Sequence, residues 1–103
     1  MPEPYRIVMS KRAANNLQGI FDFIAQDSPA NASRMISRIL ADINDLKILP
    51  HRTVVQDQPA SRRPPVRSLP VRPYVVFFRV FNEDRVVRIL HVRHGARRSP
   101  KRF

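Results

Sequence analysis

The stretch that most limits the possible folds of this chain spans residues 72–93 and reads RPYVVFFRVFNEDRVVRILHVR. Two runs rich in β-branched and aromatic residues flank a short polar break at Asn82, Glu83 and Asp84. Runs of this composition on both sides of a polar turn are typical of a β-hairpin. We therefore expect a mostly buried hairpin around which the rest of the chain is arranged.

Side chains alternate between the two faces of a strand, so each arm of the hairpin presents two different faces. The first arm divides into Tyr74, Val76, Phe78 and Val80 on one face and Val75, Phe77, Arg79 and Phe81 on the other. Strict alternation divides the second arm into Val86, Arg88, Leu90 and Val92 on one face and Val87, Ile89, His91 and Arg93 on the other. We expect helices to cover one face of the sheet and a functional site on the other, which is basic toward its far end.

The length of 103 residues predicts a single domain over residues 1–103. The chain has no cysteine, which excludes disulfides and thiolate metal sites. Residues 1–8 hold no apolar run of signal-peptide length, and no segment reaches the roughly 18 apolar residues that span a bilayer. We expect a cytoplasmic protein without a membrane partner.

The charge of the chain is strongly positive, with 19 Lys and Arg against 8 Asp and Glu, a formal net charge of +11. Nearly all of the cations are arginines, because lysine occurs only at Lys11, Lys47 and Lys101. Such a charge predicts an anionic partner, either nucleic acid or an acidic protein. Arginine favours forked hydrogen bonds to phosphate or carboxylate, although genomic bias alone also produces arginine-rich chains.

Two helices are predicted in the N-terminal half, after a short first strand at residues 5–9. Ser10 is placed to cap the first helix, whose apolar stripe of Ala13, Leu17, Ile20, Phe21 and Ile24 runs to about Gln26. Ser28 and Pro29 are placed to start a second helix, with a stripe of Ala32, Met35, Ile36, Ile39, Leu40, Ile43 and Leu46. The short link between them predicts an antiparallel helical hairpin. Gly19 within the first helix suggests a close approach to a neighbouring element.

The C-terminal half adds the remaining strands. Residues 51–65 have no sustained period and are interpreted as a surface loop, and residues 66–69 as a short strand. Pro70 and Pro73 limit the entry to the hairpin to an edge or a bend. The chain leaves the sheet at Gly95, where a turn is favourable. The predicted fold class is α+β, with an N-terminal strand and an antiparallel helical hairpin packed on a small antiparallel β-sheet.

Candidate chemistry is limited by what the sequence lacks. There is no glycine-rich phosphate loop and no set of residues at metal-ligand spacing, so neither a cofactor nor a metal is expected. His91 alternates with Ile89 and is interpreted as a partly buried core residue. His94, at the strand exit, is a candidate for acid or base catalysis or for phosphate contact.

The basic residues near the strands are the main candidates for binding. Arg67, Arg79, Arg93, Arg97 and Arg98 would form one anion-binding surface if they converge at one end of the sheet. The alternative is a solvated rim of arginines that only meets an acidic partner. A small nucleic-acid-binding protein held by phosphate contacts is a further reading, for which affinity for duplex would fall steeply with salt.

At this point the chain resembles a known family. The order of elements, the run VRSLPVRPYVVFFRV at residues 66–80 and RILHVRHGARR at residues 88–98 are similar to the RelE/ParE toxin superfamily of bacterial type II toxin-antitoxin modules. The resemblance covers nearly the whole chain. It implies a RelE/ParE-like fold and a toxin that acts either as a ribosome-dependent mRNA endonuclease, as RelE does, or as a DNA gyrase poison, as ParE does.

The residues that RelE-type cleavage requires match only in part. Arg97 falls where the later catalytic arginine would be, whereas Val75 stands where an arginine commonly follows Tyr74, and Phe103 offers no hydroxyl group. The run PYVVFFRV leading to VRHGARR is similar to ParE-type members. This resemblance implies a gyrase inhibitor with a role in plasmid stabilisation and without catalytic residues of its own. A RelE-type ribonuclease using Arg79, His94 and Arg97 without metal is the alternative, with the ribosome and mRNA as targets.

The resemblance also implies a cognate ParD-like antitoxin that binds the toxin directly, giving a hetero-oligomer. An acidic, partly disordered antitoxin segment would become ordered on binding, placing a helix on the helical surface and a strand at a sheet edge. We expect the partner-binding residues to be Arg67, Arg79, Arg93, His94, Arg97 and Arg98.

Overall fold

A computed structural model describes residues 3–48, 50–57 and 63–96 of the chain. Within these residues the chain forms two α-helices, a short 3-10 helix and one five-stranded sheet. In chain order the elements are β1 (Arg6–Met9), α1 (Lys11–Ala25), α2 (Pro29–Asp45), the 3-10 helix (Pro50–Arg52), β2 (Val54–Asp57), β3 (Val66–Val71), β4 (Tyr74–Phe81) and β5 (Val86–His94). The strands lie side by side in the order β1-β5-β4-β3-β2. The predicted α+β class is confirmed.

Both helices begin where the sequence places them. The Ser10 side chain accepts a hydrogen bond from the backbone N–H of Ala13 at 3.0 Å, which caps α1. The Ser28 side chain accepts from the N–H of Asn31 at 3.1 Å, and α2 follows with Pro29 in its first turn. Each hydroxyl group satisfies a backbone donor that has no partner inside the helix. Within the described residues, neither α-helix has the length and apolar character that a bilayer-spanning helix needs.

The sheet is mixed: the predicted antiparallel pairing is confirmed for β2 to β5 and is wrong only for β1. β1 pairs in parallel with β5, with Arg6 opposite Val86 and Met9 opposite Ile89, whereas the other neighbouring strands are antiparallel. Parallel neighbours require a long crossover connection, and the chain between β1 and β5 supplies it. The expectation that the first strand joins the sheet from the far end of the chain is confirmed.

The interpretation of residues 51–65 as a loop is only partly correct. The 3-10 helix ends at Arg52, and β2 then pairs antiparallel with β3, with Val54 opposite Ser68. β3 also continues past the predicted end, to Val71. Pro70 lies beyond the residues that β2 covers, where β3 is itself at the edge, so a proline is tolerated there as predicted.

A β-bulge at Leu90 changes the faces of β5. Phe77 is paired with His91 and Phe78 with Ile89, so Leu90 has no residue opposite it on β4. One extra residue moves every later side chain to the other face of the sheet. The strict alternation expected for the second arm is therefore wrong beyond this point.

The corrected faces explain the core. Val87, Ile89 and Val92 now share the face that the helices cover, together with the alternating apolar residues of β4. The buried core cluster on this face consists of Ala13, Ile39, Ile43, Leu46, Val71, Tyr74, Val76, Phe78, Val80, Val87, Ile89 and Val92. Leu40, which was expected in the stripe of α2, is instead 44% exposed.

Candidate functional site

Arg67 lies on β3 opposite Phe78, on the side of the sheet that the helices cover. Its Nη1 donates hydrogen bonds to the carbonyl oxygens of Thr53 at 2.9 Å and His51 at 3.2 Å. These bonds tie β3 to the segment that precedes β2. Part of the hydrogen-bonding capacity of Arg67 therefore supports the fold.

Arg79 lies on the opposite face of the sheet, where it is paired with Arg88 of β5. It is only 8% exposed, which is unusual for a charged side chain, whereas Arg88 is exposed. Ser68, Phe77 and His91 are also buried on this face. The second face therefore carries arginines near the turn as well as at its far end, where they are expected, and its centre is not open to solvent.

Arg93 and His94 end β5 and point to opposite faces. The guanidinium carbon of Arg93 lies 4.9 Å from the centre of the Phe77 ring, and its Nη1 donates to the carbonyl oxygen of His94 at 3.0 Å. The imidazole of His94 packs edge-to-face on Tyr74, with ring centres 5.5 Å apart. Its Nδ1 accepts a hydrogen bond from the N–H of Ala96 at 3.1 Å.

The structure does not bring Arg67, Arg79 and Arg93 together at one end of the sheet. Arg67 lies on the helix-covered face and the other two lie on the opposite face. Arg93 is paired with Val75, which lies about 13 Å from Arg79 along β4. Arg97 and Arg98, also predicted to bind a partner, lie outside the described residues.

His91 stacks on Phe77 with ring centres 4.7 Å apart and an interplanar angle of 22°. Burial, followed by the charges of Arg12 and Arg93, lowers the pKa of His91 from 6.5 to about 4. The imidazole is therefore neutral at pH 7. His91 was expected to be partly buried, and it is almost fully buried, at 2% exposure.

In the described part of the chain, a groove of about 750 Å³ lies between α1 and the end of β5. From α1 it is lined by Arg12, Asn15, Gly19 and Phe23, and from the sheet by Tyr74, Arg93 and His94 among others. We refer to it as the α1–β5 groove. It joins an apolar surface to cationic side chains, and Arg93 and His94 are the predicted binding residues that it contains.

Sequence reasoning missed the contribution of α1 to this groove. Phe23 lies off the apolar stripe of α1 and is 67% exposed. A Cβ atom at Gly19 would meet no atom within 4 Å, so the expected close approach to another element is wrong and the glycine instead faces open space. A large apolar residue off the stripe and a glycine one turn before it are the signals that would have identified the groove.

A second cavity, of about 1050 Å³, lies at the turn of the hairpin and is lined by His51, Arg63 and Arg67 among others. His51 Nε2 lies 2.6 Å from Oδ1 of Asn82, and the Tyr5 hydroxyl donates to the same oxygen at 3.0 Å. The first contact holds the 3-10 helix before β2 at the turn, and the second holds the N-terminal segment there.

In the part of the chain that the structure describes, no group of three His, Asp or Glu residues could hold a metal ion.

Comparisons with known proteins were made for the sequence and for the fold. A family model described as "ParE toxin of type II toxin-antitoxin system, parDE" matches residues 7–99. No curated protein matches the chain. Among solved structures, the chain is similar to one from the chromosomal ParDE toxin-antitoxin system of P. aeruginosa, with a TM-score of 0.67 and 22% identity over 87% of this chain and 95% of that chain.

Two RelBE complexes are also similar. A chain of the RelBE toxin-antitoxin complex from Mycobacterium tuberculosis has a TM-score of 0.67 and 21% identity, over 94% of this chain and 98% of that one. A chain of the archaeal RelE-RelB complex from Pyrococcus horikoshii has a TM-score of 0.65 and 18% identity, over 92% of this chain and 99% of that one. These structures show the shared fold, and the family model covers nearly all of the sequence. The chain therefore belongs to the ParE toxin family of type II toxin-antitoxin systems.

Proposed function

We propose that this toxin inhibits DNA gyrase by trapping it on cleaved DNA, and that a cognate antitoxin neutralises it by direct binding. The observation that carries the proposal is the match to the ParE family model over residues 7–99. A role in plasmid stabilisation would follow from this activity. The protein acts as an inhibitor in this proposal, and no bond is made or broken by its own side chains.

The positions of the alternative catalytic residues support this choice over a RelE-type ribonuclease. Arg79 is 8% exposed and lies on one face of the sheet, whereas His94 is paired with Tyr74 and lies on the helix-covered face. A general acid or base and a cation that stabilises the phosphate must reach the same substrate atoms. Arg79 and His94 do not meet this requirement in the described fold.

Neutralisation by an acidic antitoxin is supported by the charge of the toxin and by its exposed edges. A formal charge of +11 on 103 residues favours association with a negatively charged segment. β1 and β2 are the two edges of the described sheet, and a partner strand can add to such an edge. The similar structures come from a ParDE toxin-antitoxin system and from a RelBE toxin-antitoxin complex, which supports a hetero-oligomer with an antitoxin.

The direct test measures supercoiling of relaxed plasmid by purified gyrase with increasing toxin. The expected result is loss of supercoiled product with accumulation of linear, gyrase-linked DNA, both reversed by prior addition of the cognate antitoxin. Heat-denatured toxin and a type I topoisomerase in place of gyrase serve as controls. If supercoiling proceeds at its normal rate with toxin in excess, gyrase is not the target.

A cell-free translation mixture tests the alternative in parallel. A ribosome-dependent nuclease would cleave the translated mRNA at defined positions and would leave the same mRNA intact in the absence of ribosomes. We expect no such cleavage. Its appearance, together with unaffected gyrase, would make the RelE-type activity the function of this chain.

A further inference from the structure

One side of α1 forms a continuous wall of the α1–β5 groove. Arg12, Asn16, Gly19 and Phe23 all line the groove, and their spacing of three or four residues places them on the same side of the helix. The distance along the helix axis from Arg12 to Phe23 is about 16 Å. The wall therefore carries a cation at one end, an aromatic ring at the other and a glycine between them.

The aromatic end of this wall is open to solvent. Phe23 is 67% exposed, and Gly19 lies one helical turn before it. A Cβ atom at Gly19 would meet no atom within 4 Å, so a planar group can approach the Phe23 ring without meeting another side chain at that position. An exposed ring with open space beside it is a surface on which a nucleobase can stack.

The charge of the groove is positive. Arg12 and Arg93 line it from opposite walls, and none of its described lining residues is Asp or Glu. Burial is the main cause of the lowered pKa of His91, and the charges of Arg12 and Arg93 add to it, which is an independent sign of a positive potential here. An anionic group in the groove would meet two cations and no described carboxylate.

Two further side chains of the groove offer hydrogen-bond donors. Nδ1 of His94 accepts from the N–H of Ala96 at 3.1 Å, so the ring hydrogen of a neutral imidazole is on Nε2. Oδ1 of Asn16 accepts from the N–H of Val92 at 3.0 Å, which leaves the side-chain NH2 group of Asn16 as a donor. Phosphate oxygens accept hydrogen bonds from side chains of both kinds.

We propose that the α1–β5 groove binds a single strand of DNA. One base stacks on Phe23 beside the gap at Gly19, and the phosphates that follow along the wall pair with Arg12 and accept hydrogen bonds from Asn16 and His94. The place of the strand rests on the geometry of the groove. Its identity as DNA rests on the proposed function, because cleaved DNA presents strand ends to a protein bound to gyrase.

A single strand suits the groove better than a duplex does. The bases of a duplex stack on one another, so their faces are not available to an aromatic side chain. The bases of a single strand stack readily on exposed rings. A duplex held by its phosphates would use the charges of Arg12 and Arg93 and would leave Phe23 without a role.

The test follows the fluorescence anisotropy of a short labelled DNA strand of mixed sequence during titration with the full-length toxin. Phe23→Leu removes the ring and keeps an apolar side chain, whereas Phe23→Tyr keeps the ring. We expect Phe23→Leu to weaken binding by at least about fivefold and Phe23→Tyr to bind within about twofold of the wild type. Phe23 is exposed, so both variants are expected to fold, and circular dichroism checks this.

Removal of charge provides a second comparison. Arg12→Gln and Arg38→Gln change the net charge equally, and both residues are exposed on helices, but only Arg12 lines the groove. We expect Arg12→Gln to weaken binding several-fold more than Arg38→Gln. It should also reduce the slope of log affinity against log salt concentration by about 0.7, as the loss of one phosphate contact does. Equal effects of the two variants, or wild-type affinity of Phe23→Leu, would overturn the proposal.

Duplex DNA and single-stranded RNA of the same sequence are titrated in parallel, and we expect the DNA strand to bind most tightly. Tighter binding of the duplex, unaffected by Phe23→Leu, would reduce the interaction to phosphate contacts and overturn the proposal. Tighter binding of RNA, with the same dependence on Phe23, would assign the groove to RNA and overturn the choice of DNA.

These titrations contain no gyrase, so their outcome is separate from that of the supercoiling assay. If the wild-type toxin binds no strand and still inhibits gyrase, this inference fails and the proposed function stands. If the toxin binds the strand through Phe23 and Arg12 but leaves supercoiling unaffected, the groove assignment stands and the proposed function fails.

Discussion

Asn16 of α1 accepts a hydrogen bond from the backbone N–H of Val92 of β5, with 3.0 Å between Oδ1 and the nitrogen. β1 pairs with the edge of β5 as far as Ile89, and the N–H of Ser10 donates to the carbonyl oxygen of Ile89 at 3.0 Å. The bond to Asn16 then satisfies a further N–H group on that edge of β5 after β1 has ended. The first turns of α1 therefore act as a substitute neighbour for the edge of β5. The open groove starts where this protection ends.

Replacing Asn16 with alanine is expected to destabilise the protein, because it leaves the N–H of Val92 without its acceptor. The matched control is Asn15→Ala, at an exposed position of the same helix. Both variants replace asparagine with alanine and so gain the same helix propensity. The free energy of unfolding, measured with urea, should be lower in Asn16→Ala than in Asn15→Ala by about 1 kcal/mol or more. Equal stabilities would show that water replaces the Asn16 side chain without cost.

Ser10→Ala is expected to cost more stability than Ser28→Ala. Both hydroxyl groups cap a helix, but that of Ser10 also donates to the carbonyl oxygen of Leu90 at 2.8 Å. Loss of a cap costs about 1 kcal/mol, and the second hydrogen bond adds about 1 kcal/mol. Thermal unfolding of the two variants under identical conditions tests this order, and a larger loss for Ser28→Ala would contradict it.

The two glycines are expected to respond to alanine in opposite directions. A Cβ atom at Gly95 would lie 3.1 Å from the carbonyl oxygen of Pro73, which already accepts the N–H of Gly95 at 2.7 Å. Gly95→Ala should therefore lower the free energy of unfolding by about 1 kcal/mol. Gly19→Ala, in an open part of a helix, should raise it by about 1 kcal/mol. Chemical denaturation of both variants measures the two signs.

Stability should depend on pH through His91, whose pKa is lowered from 6.5 to about 4 in the folded state by burial and then by the nearby arginines. Between these two values the unfolded state binds the proton and the folded state does not, so stability is full above pH 6.5 and falls as the pH decreases toward 4. The loss is at most about 3 kcal/mol.

The control for this dependence is His91→Gln, which cannot take up the proton. The free energy of unfolding of this variant should fall less steeply over the same pH range. The carboxylates are the same in both proteins, so the difference between the two slopes measures the contribution of His91. Parallel curves of stability against pH, measured by urea unfolding at closely spaced pH values, would contradict the assignment.

Most of the features that the sequence predicted correctly are local. Ser10 and Ser28 mark the helix starts because each hydroxyl group caps an N–H only three residues away. The turn after Phe81 follows from three consecutive polar residues between two apolar runs. The stripe of α1 is likewise set by neighbours one turn apart, and it is confirmed for Ala13, which is fully buried.

The groove could not be predicted in the same way, although two of its residues broke the local rules. Phe23 is apolar yet off the stripe, and Gly19 weakens the helix that contains it. Each is recognisable as an exception in the sequence, but only the position of β5 beside α1 makes them neighbours of Arg93 and His94. The sequence left open whether the arginines of the strands converge, because residues near one another in the chain can lie on different faces of the sheet, as Arg67 and Arg79 do.

The sequence by itself determined the two capped helices, the hairpin and its turn, because hydrogen bonds and periodicity within a few residues specify them. Only the tertiary structure decided the faces of β5, the parallel pairing of β1 and the presence of β2. In VVRILHV apolar residues occupy both alternating sets of positions, so the local pattern is equally compatible with a regular strand and with a bulge at Leu90. Pairing with β4 and packing against the helices select the bulge, since it directs Ile89 and Val92 into the same core.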